Sequence, residues 1–267
     1  MLLGLLLSCP SGLEKMSIQE TFDGLKKLLF DEELEVRNAV SWTICRIVLS
    51  RIGTDILCKN GITPTIIESF LKYSGQNRKE EEYFIIYLLE AFKHLLAYDD
   101  GIKHCIGTGL TRRLKELAET KGIYSEHNHS TIHYLSLCAL TNLAMNPSGK
   151  EECVKENVIG TAQEFLSSEI EEEVSNAVTL IMFTAINLEG KKQCIYKEGN
   201  IDTKIIIKLI KLLGPIKSGL KEGEKVCEVS DIVKGDVKEC LKIIAQEDDG
   251  FLAIADYMSK EADIAHI

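Results

Sequence analysis

Residues 134–160, YLSLCALTNLAMNPSGKEECVKENVIG, decide how this chain folds. Apolar residues recur at helical spacing up to Met145, Asn146-Pro147-Ser148-Gly149 interrupts them, and a second short helical run carries Cys153. Gly101-Ile-Lys-His-Cys105 lies upstream with the same punctuation, and Gly190-Lys-Lys-Gln-Cys194 lies downstream. Further out stand Gly12-Leu-Glu-Lys-Met16, Gly53-Thr-Asp-Ile-Leu57 with Cys58 one place on, and a weaker Gly250-Phe-Leu-Ala-Ile254. These glycines, at 12, 53, 101, 149, 190 and 250, are 41, 48, 48, 41 and 60 residues apart. The chain is a repeat protein.

A helical period of about 40–47 residues is the mark of armadillo or HEAT stacking. Between glycines the pattern runs short, medium, long. After Gly12 come a short helix, Glu20–Phe30 and Glu35–Ile52; after Gly53 come Gly53–Asn60, Thr63–Tyr73 and Glu80–Tyr98. The next set is Gly101–Gly107, Leu110–Lys121 and Thr131–Asn146, with a polar insertion at Gly122–Ser130. Then follow Gly149–Asn157, Ile159–Ser167 and Ile170–Leu188, and in the last full unit Ile201–Leu213, a loop at Gly214–Cys227 and Val229–Gln246. Three helices per unit favour armadillo over two-helix HEAT. The expected fold is all-α: an armadillo-repeat α-solenoid, a right-handed superhelix of three-helix repeats with no β domain. One domain, 1–267, holds a partial repeat at 1–11, repeats at 12–52, 53–100, 101–148, 149–189 and 190–249 with its insertion at 214–227, and a partial repeat at 250–267. Gly53 is expected to close the first long helix as a left-handed cap, and Pro64 to sit in the first turn of its helix. The acidic runs Glu80–Glu82 and Glu171–Glu173 read as helix-start acids on solvated faces, or as ridges that steer a basic partner.

A net charge of −10, from 41 acidic and 31 basic residues, argues against nucleic acid or an anionic membrane as the main partner. The nine cysteines, at 9, 45, 58, 105, 138, 153, 194, 227 and 240, are dispersed one per helix, which reads as buried thiols in a reducing compartment. Leu2–Leu7 has no basic leader and is shorter than the roughly 7–15 apolar residues of a signal sequence. Aligned on LAMNPSGKEEC, the stretch LLSCPSGLEKM reads instead as the tail of a repeat's last helix whose earlier helices are missing. No run approaches the ~18 apolar residues of a membrane span. Both ends therefore read as open, with Leu3 and Leu6 among the leucines at one and Phe251, Ile254 and Met258 at the other. The plain reading is an incomplete start or local packing over the leucines; the sharper one is that partner proteins dock on Leu3, Leu6, Phe251 and Met258.

Armadillo units grip extended peptides along successive third helices, with an Asn bonding the peptide backbone and a Trp one turn earlier. Ala139-Leu140-Thr141-Asn142-Leu143-Ala144 resembles that pattern, and Asn142 stands seven residues before Gly149. The same slot elsewhere holds Leu5, Arg46, His94 and Phe183, and the Trp slot holds Trp42, Glu90, Cys138 and Thr179. A peptide ladder needs equivalent donors at every step, so this groove is not expected to act as an import-type receptor. Trp42, Arg46, Glu90, His94, Asn142 and Phe183 remain the candidate partner-binding residues, with Trp42 and Arg46 of types enriched at interface hot spots. Core packing is the competing reading of Trp42. His129 and His133, in HNHSTIHY with His127, stand at i, i+4 and could chelate a metal, but no third ligand stands at a telling spacing. Motifs for phosphate loops, nucleophile elbows, dinucleotides or paired cysteines are missing from the sequence. No catalytic residue, metal or cofactor is expected.

Residues 174–185, VSNAVTLIMFTA, running into Leu188-Glu189-Gly190-Lys191-Lys192, resemble the penultimate repeats of the ciliary radial spoke head 14 homologue family, in which an Ala-Leu-x-Asn repeat like 139–142 also precedes. The similarity spans 130–213 closely and 20–110 more loosely; the Gly214–Cys227 insertion departs from it. The resemblance implies a non-catalytic structural subunit of the radial spoke in motile cilia, located in the cytoplasm and the axoneme of the cilium or flagellum. Its implied partners are other spoke subunits, with no nucleic acid, membrane or small-molecule substrate. A cytoplasmic adaptor that holds a peptide or helix in the third-helix groove is the alternative, and an enzyme regulator with a histidine metal site is a third.

Overall fold

The computed structural model describes residues 11–12, 19–75, 79–120, 124–214 and 228–264. Two compact units divide the chain, Met1–Gly149 and Lys150–Ile267. In the first, α1 (Gln19–Leu28) and α2 (Leu34–Val48) precede two sets of short, medium and long helices. These are α3 (Arg51–Lys59), α4 (Thr63–Ser74) and α5 (Glu82–Leu95), then α6 (Asp99–Cys105), α7 (Leu110–Glu119) and α8 (Glu126–Met145). The division falls within α9 (Pro147–Lys155), and the second unit continues with α10 (Val158–Phe165) and α11 (Glu171–Ala185). After α12 (Leu188–Ile195) come a two-stranded ribbon, β1 (Tyr196–Lys197) and β2 (Asn200–Ile201), and then α13 (Lys204–Leu212), α14 (Asp231–Ile244) and α15 (Asp248–Ile264). Fold class is as expected, helical repeats with no β domain among the described residues.

The recurrent glycine acts differently from the expectation for Gly53. It lies inside α3, and its φ is not among the positive ones. A Cβ built on Gly53 would stand 1.8 Å from the carbonyl oxygen of Ile47; on Gly101, 2.0 Å from that of Leu95; on Gly149, 2.0 Å from that of Leu143. In the second unit the figures are 2.1 Å for Gly190 against Thr184 and 2.4 Å for Gly250 against Ile244. Every one of these carbonyls is six residues back, in the last turn of a long helix, where it has no intrahelical donor. Four of them accept the N–H three residues on, from Tyr98, Asn146, Asn187 and Glu247. The corner thus presses the next short helix directly onto the end of the long one, which only a residue without Cβ allows. Ser50 Oγ, Asn146 Oδ1 and Asn187 Oδ1 cap the new helix by accepting N–H from Gly53, Ser148 and Glu189. Because the corner begins at the capping residue, the long helices stop three or four residues short of the expected ends at Ile52, Tyr98 and Leu188.

Left-handed residues do occur, one turn later. Gly61 (φ +61°) ends α3, and Ile62 N–H reaches back to Leu57 O, the six-to-one bond of a Schellman cap. Asn157 (φ +51°) fills the same place after α9. After α12 that turn becomes the ribbon: Glu198 (φ +52°) and Gly199 (φ +80°) form a two-residue hairpin, pairing Tyr196 with Ile201. Ile201 therefore belongs to a strand, and α13 begins at Lys204, three residues later than the apolar pattern indicated.

Two other expectations shift. The expected insertion at Gly122–Ser130 is helical from Glu126 onward, giving α8 20 residues. Nothing in Glu126–Ser130 breaks a helix, and Ser125 is anchored at its start: its N–H and Oγ donate to the Glu82 carboxylate at 3.2 and 3.1 Å. The partial repeat read from Gly250 lies in one helix of 17 residues, Asp248–Ile264, longer than the short first helices it was read to match. The loop read at Gly214–Cys227 lies outside the described residues beyond Gly214 itself.

The core of the first unit centres on α5, whose Phe84, Ile85, Leu88, Leu89, Phe92 and Leu95 are buried. Each contributes about 1.5–3 kcal/mol of apolar burial. Phe70 of α4 meets Phe92 edge to face at 5.0 Å, and Tyr73 meets Phe84 at 5.4 Å. Long helix packs on long helix here, α5 lying against both α2 and α8, which sets the three third helices side by side.

Candidate functional site

On α2 and α5, partly exposed side chains one turn apart form two stripes, and half-buried Asn142 stands on α8. Trp42 and Arg46 of α2 are half-buried, a state between core and free surface, and Arg46 Nε is buried with no hydrogen-bond partner among the described residues. On α5, Tyr83 is exposed and Tyr87, Glu90 and His94 are half-buried. Glu90 pairs with Lys93 Nζ at 2.8 Å and His94 Nε2 at 3.4 Å. The His94 hydrogen bond, then that of Lys93, holds its carboxyl down to about 2 against the opposing effect of burial.

Asn142, read as a donor to a bound backbone, is already engaged: its Nδ2 donates to the Lys93 carbonyl at 2.7 Å. Cys45 and Cys138, on the flanking helices, both sense the charges of Glu90 and Lys93, and burial pushes the Cys45 thiol up to about 11. The register puts Arg46, His94 and Asn142 at one level of α2, α5 and α8 and Trp42 and Glu90 one turn earlier, and the bonds among these helices join Glu90 to His94 and Asn142 to the Lys93 carbonyl. Phe183 belongs to the second unit, on α11, where Lys150 Nζ stands 6.0 Å from its ring centroid.

Of the end positions, Phe251 and Met258 are exposed, and Leu3 and Leu6 lie outside the described residues. The rings of His129 and His133 stand with centroids 3.9 Å apart and planes tilted by 58°, and the Nε2 of His133 meets the Thr120 carbonyl. Burial, and then His133, lower the His129 pKa. Among the described residues no three His, Cys, Asp or Glu side chains gather as a metal-ligand set. The thiols of Cys105 and Cys194 are pushed up to about 12 by burial, and those of Cys153 and Cys240 are pushed up as well, so none is poised as a nucleophile.

The acidic runs are not simply solvated faces. Glu81 is buried and pairs with Arg37 Nη2 at 2.5 Å; Arg37 Nη1 also donates to the carbonyls of Asp31 at 2.7 Å and Glu32 at 3.0 Å, and the guanidinium lies 4.3 Å from the Tyr73 ring centroid. Glu82 and Glu171, each the first residue of a third helix, accept N–H from Ser125 and Ser230, each the N-cap of the next third helix. Reading by motif missed Arg37. The signal was its place in the buried register of Val40 and Ile44, where a charge demands a partner.

Further ties run from one repeat to the equivalent helix of the repeat before. Arg113 of α7 donates from Nε to Ser74 Oγ at 3.0 Å and from Nη2 to the Ser74 carbonyl. In the second unit, Gln193 of α12 donates to the Val154 carbonyl of α9 and Lys208 of α13 to the Gln163 carbonyl of α10, both at 2.8 Å. The carbonyls at or near helix C-termini are thus answered by the neighbouring repeat.

No protein-family model matches this chain, and no curated protein matches it by sequence. Solved structures do. Computationally designed armadillo repeat proteins for modular peptide recognition superpose with a TM-score of 0.68 at 19% identity, covering 90% of this chain and 90% of theirs. An engineered protein gives 0.67 at 16% identity over 92% of this chain and 90% of its own. A designed armadillo repeat protein in complex with the peptide (KR)4 gives 0.61 at 18% identity over 91% of this chain and 98% of its own. At such identities what is shared is the fold, and that fold is the armadillo repeat.

Proposed function

We propose that this chain is a non-catalytic scaffold that holds other proteins, and more specifically a structural subunit of the radial spoke in motile cilia, resident in the axoneme. The family resemblance of 139–142 and 174–192 supports the finer reading. The observation that carries the scaffold reading is the state of the third-helix face. Asn142 is tied to Lys93 O, His94 and Glu90 are tied to each other, and the equivalent slot in α11 is Phe183. A face with no repeated outward donor suits one fixed neighbour rather than exchangeable extended peptides. The cross-repeat ties serve rigidity, which a permanent assembly needs. A tagged copy expressed in cells with motile cilia should stay with the axoneme after detergent extraction and co-purify with spoke subunits. Complete release into the soluble fraction would reject the spoke assignment.

The adaptor remains the second reading because of Arg46. Its buried, unpartnered Nε beside half-buried Trp42 is a donor that an incoming chain could satisfy. The similar designed protein with bound (KR)4 supports peptide binding on this fold in general. Trp42→Ala with Arg46→Ala should weaken recovery of a partner without lowering Tm; a large Tm loss instead assigns Trp42 to the core.

A further inference from the structure

Arg46 of α2 is, among the described residues, a cation without a partner. Arg37 pairs with Glu81, Arg113 bonds Ser74 and Glu116, Arg51 lies 5.6 Å from the Tyr98 ring centroid, and Arg112 is engaged as well. Arg46 has no hydrogen bond, ion pair or ring contact among the described residues, in a chain with 41 acidic side chains. Glu90, the carboxylate one slot away on α5, is taken by Lys93 and His94. The Arg46 Nε is buried and unbonded, which leaves its Nη nitrogens as the ones that face solvent.

The stripe around Arg46 is apolar. Half-buried Trp42 stands one turn before it and Leu49, 44% exposed, three residues after it, a spacing that sets all three on one face of the helix. Register, rather than the place where the chain begins, opens this face. Trp42 and Arg46 stand 11 and 7 residues before Gly53, as Glu90 and His94 do before Gly101. Those slots are half-buried on α5 too, although α5 has α2 on one side and α8 on the other.

These neighbours select an occupant. A guanidinium with a dry, unbonded Nε has already lost part of its hydration. A carboxylate that reaches the Nη pair therefore gains charge-assisted bonds with less water left to displace than at a fully wet arginine. A basic side chain in that place would meet like charge from Arg46. Trp42 and Leu49, on either side, favour large apolar side chains. We infer that the Trp42–Arg46–Leu49 stripe holds a segment of a partner protein in which an aspartate or glutamate stands between large apolar side chains. The inference rests on the reading of Trp42 and Arg46 as a partner surface and gives that partner its chemistry.

Trp42 is the one tryptophan of the chain, so its emission reports on this stripe directly. The full chain is titrated with a short peptide of glutamate flanked by leucines, with glutamine and lysine versions as controls. The glutamate peptide should shift the Trp42 emission and saturate; the glutamine peptide should bind about tenfold more weakly, and the lysine peptide more weakly still. Arg46→Met, which keeps the apolar stem, should bring the glutamate peptide down to the level of the glutamine one, and Arg46→Lys should recover part of the loss. Lys103→Met, which removes an exposed cation of α6 in the same unit, should change nothing. Should Arg46→Met lower Tm, the glutamate–glutamine comparison on the wild-type chain decides. No shift with the glutamate peptide, equal binding of the lysine peptide, an undiminished response in a stably folded Arg46→Met or an equal loss in Lys103→Met would each overturn the proposal. So would an emission that shifts with chain concentration alone, which would put a second copy on the stripe. Lost partner recovery in Trp42→Ala with Arg46→Ala at unchanged Tm, without a peptide response, rejects the carboxylate chemistry alone. A large Tm loss there with an Arg46-dependent peptide response rejects the place of Trp42 on the surface alone.

Discussion

The third-helix faces of the two units are built on one corner but carry different surfaces. In the first unit Glu90 pairs with Lys93 and His94 on α5, Asn142 of α8 is tied to the Lys93 carbonyl, and Arg46 holds the corresponding slot on α2. In the second, α11 presents Ser175, Thr179 and Phe183 at the corresponding heights, and Thr179 Oγ1 bonds within its own helix to Ser175 O at 2.9 Å. The corner glycines behave alike in both, each against the carbonyl six residues back. What is held constant is the place where backbone meets backbone and no side chain fits. What varies is the face on which neighbouring side chains, and any partner, are the only constraint.

The largest break in that comparison should come from the buried pair of the first unit, which has no described counterpart in the second. Glu81→Ala strands Arg37 in the core and should cost about 3–5 kcal/mol in urea unfolding, while Arg37→Met with Glu81→Leu should recover most of it. Full cost in the double variant would mean that the Asp31 and Glu32 carbonyl bonds, rather than the ion pair, carry the role of Arg37.

The corner sharpens the likeness. Gly101→Ala and Gly190→Ala place Cβ 2.0 and 2.1 Å from a backbone oxygen that cannot step aside without moving a helix, so each should lose about 2–3 kcal/mol. Similar losses in both units, measured by denaturation midpoint, would confirm one shared corner; a neutral substitution in either would remove it from that unit.

The smallest effect separates the faces by pH. The Glu90 carboxyl lies at about 2 in the folded chain, below its ordinary 4.5. Its contribution is complete above pH 4.5 and is lost as pH falls from 4.5 toward about 2, because the unfolded chain takes up that proton first. Glu90→Gln should flatten the stability curve over that interval, and Thr179→Val should leave its slope unchanged. An unaltered slope in Glu90→Gln would show that the pairs with Lys93 and His94 contribute nothing in solution.

The repeat, the helix order and the burial of Cys105, Cys153 and Cys194 were legible in the sequence, because each follows from spacing along one helix. The role of Gly53 was misread, since a glycine after a helical run looks the same whether it serves φ or steric clearance. Ile201 was misassigned because a two-residue hairpin leaves no periodicity of its own. Within the candidate site, the slots of Trp42, Arg46, Glu90, His94 and Asn142 could be counted back from the glycines. That Asn142 is engaged by Lys93 O could not, because the partner is a carbonyl one repeat away.

By itself, the sequence determined that this is a stack of three-helix units, since glycine spacing and helical periodicity are local and repeat. Only the tertiary structure decided that the glycines are contact points, that Arg37 and Glu81 meet in the core, and that α15 turns Phe251, Leu252 and Met258 to solvent. Those depend on which residue of one repeat faces which residue of the next, and that register is set by packing between helices distant in the chain.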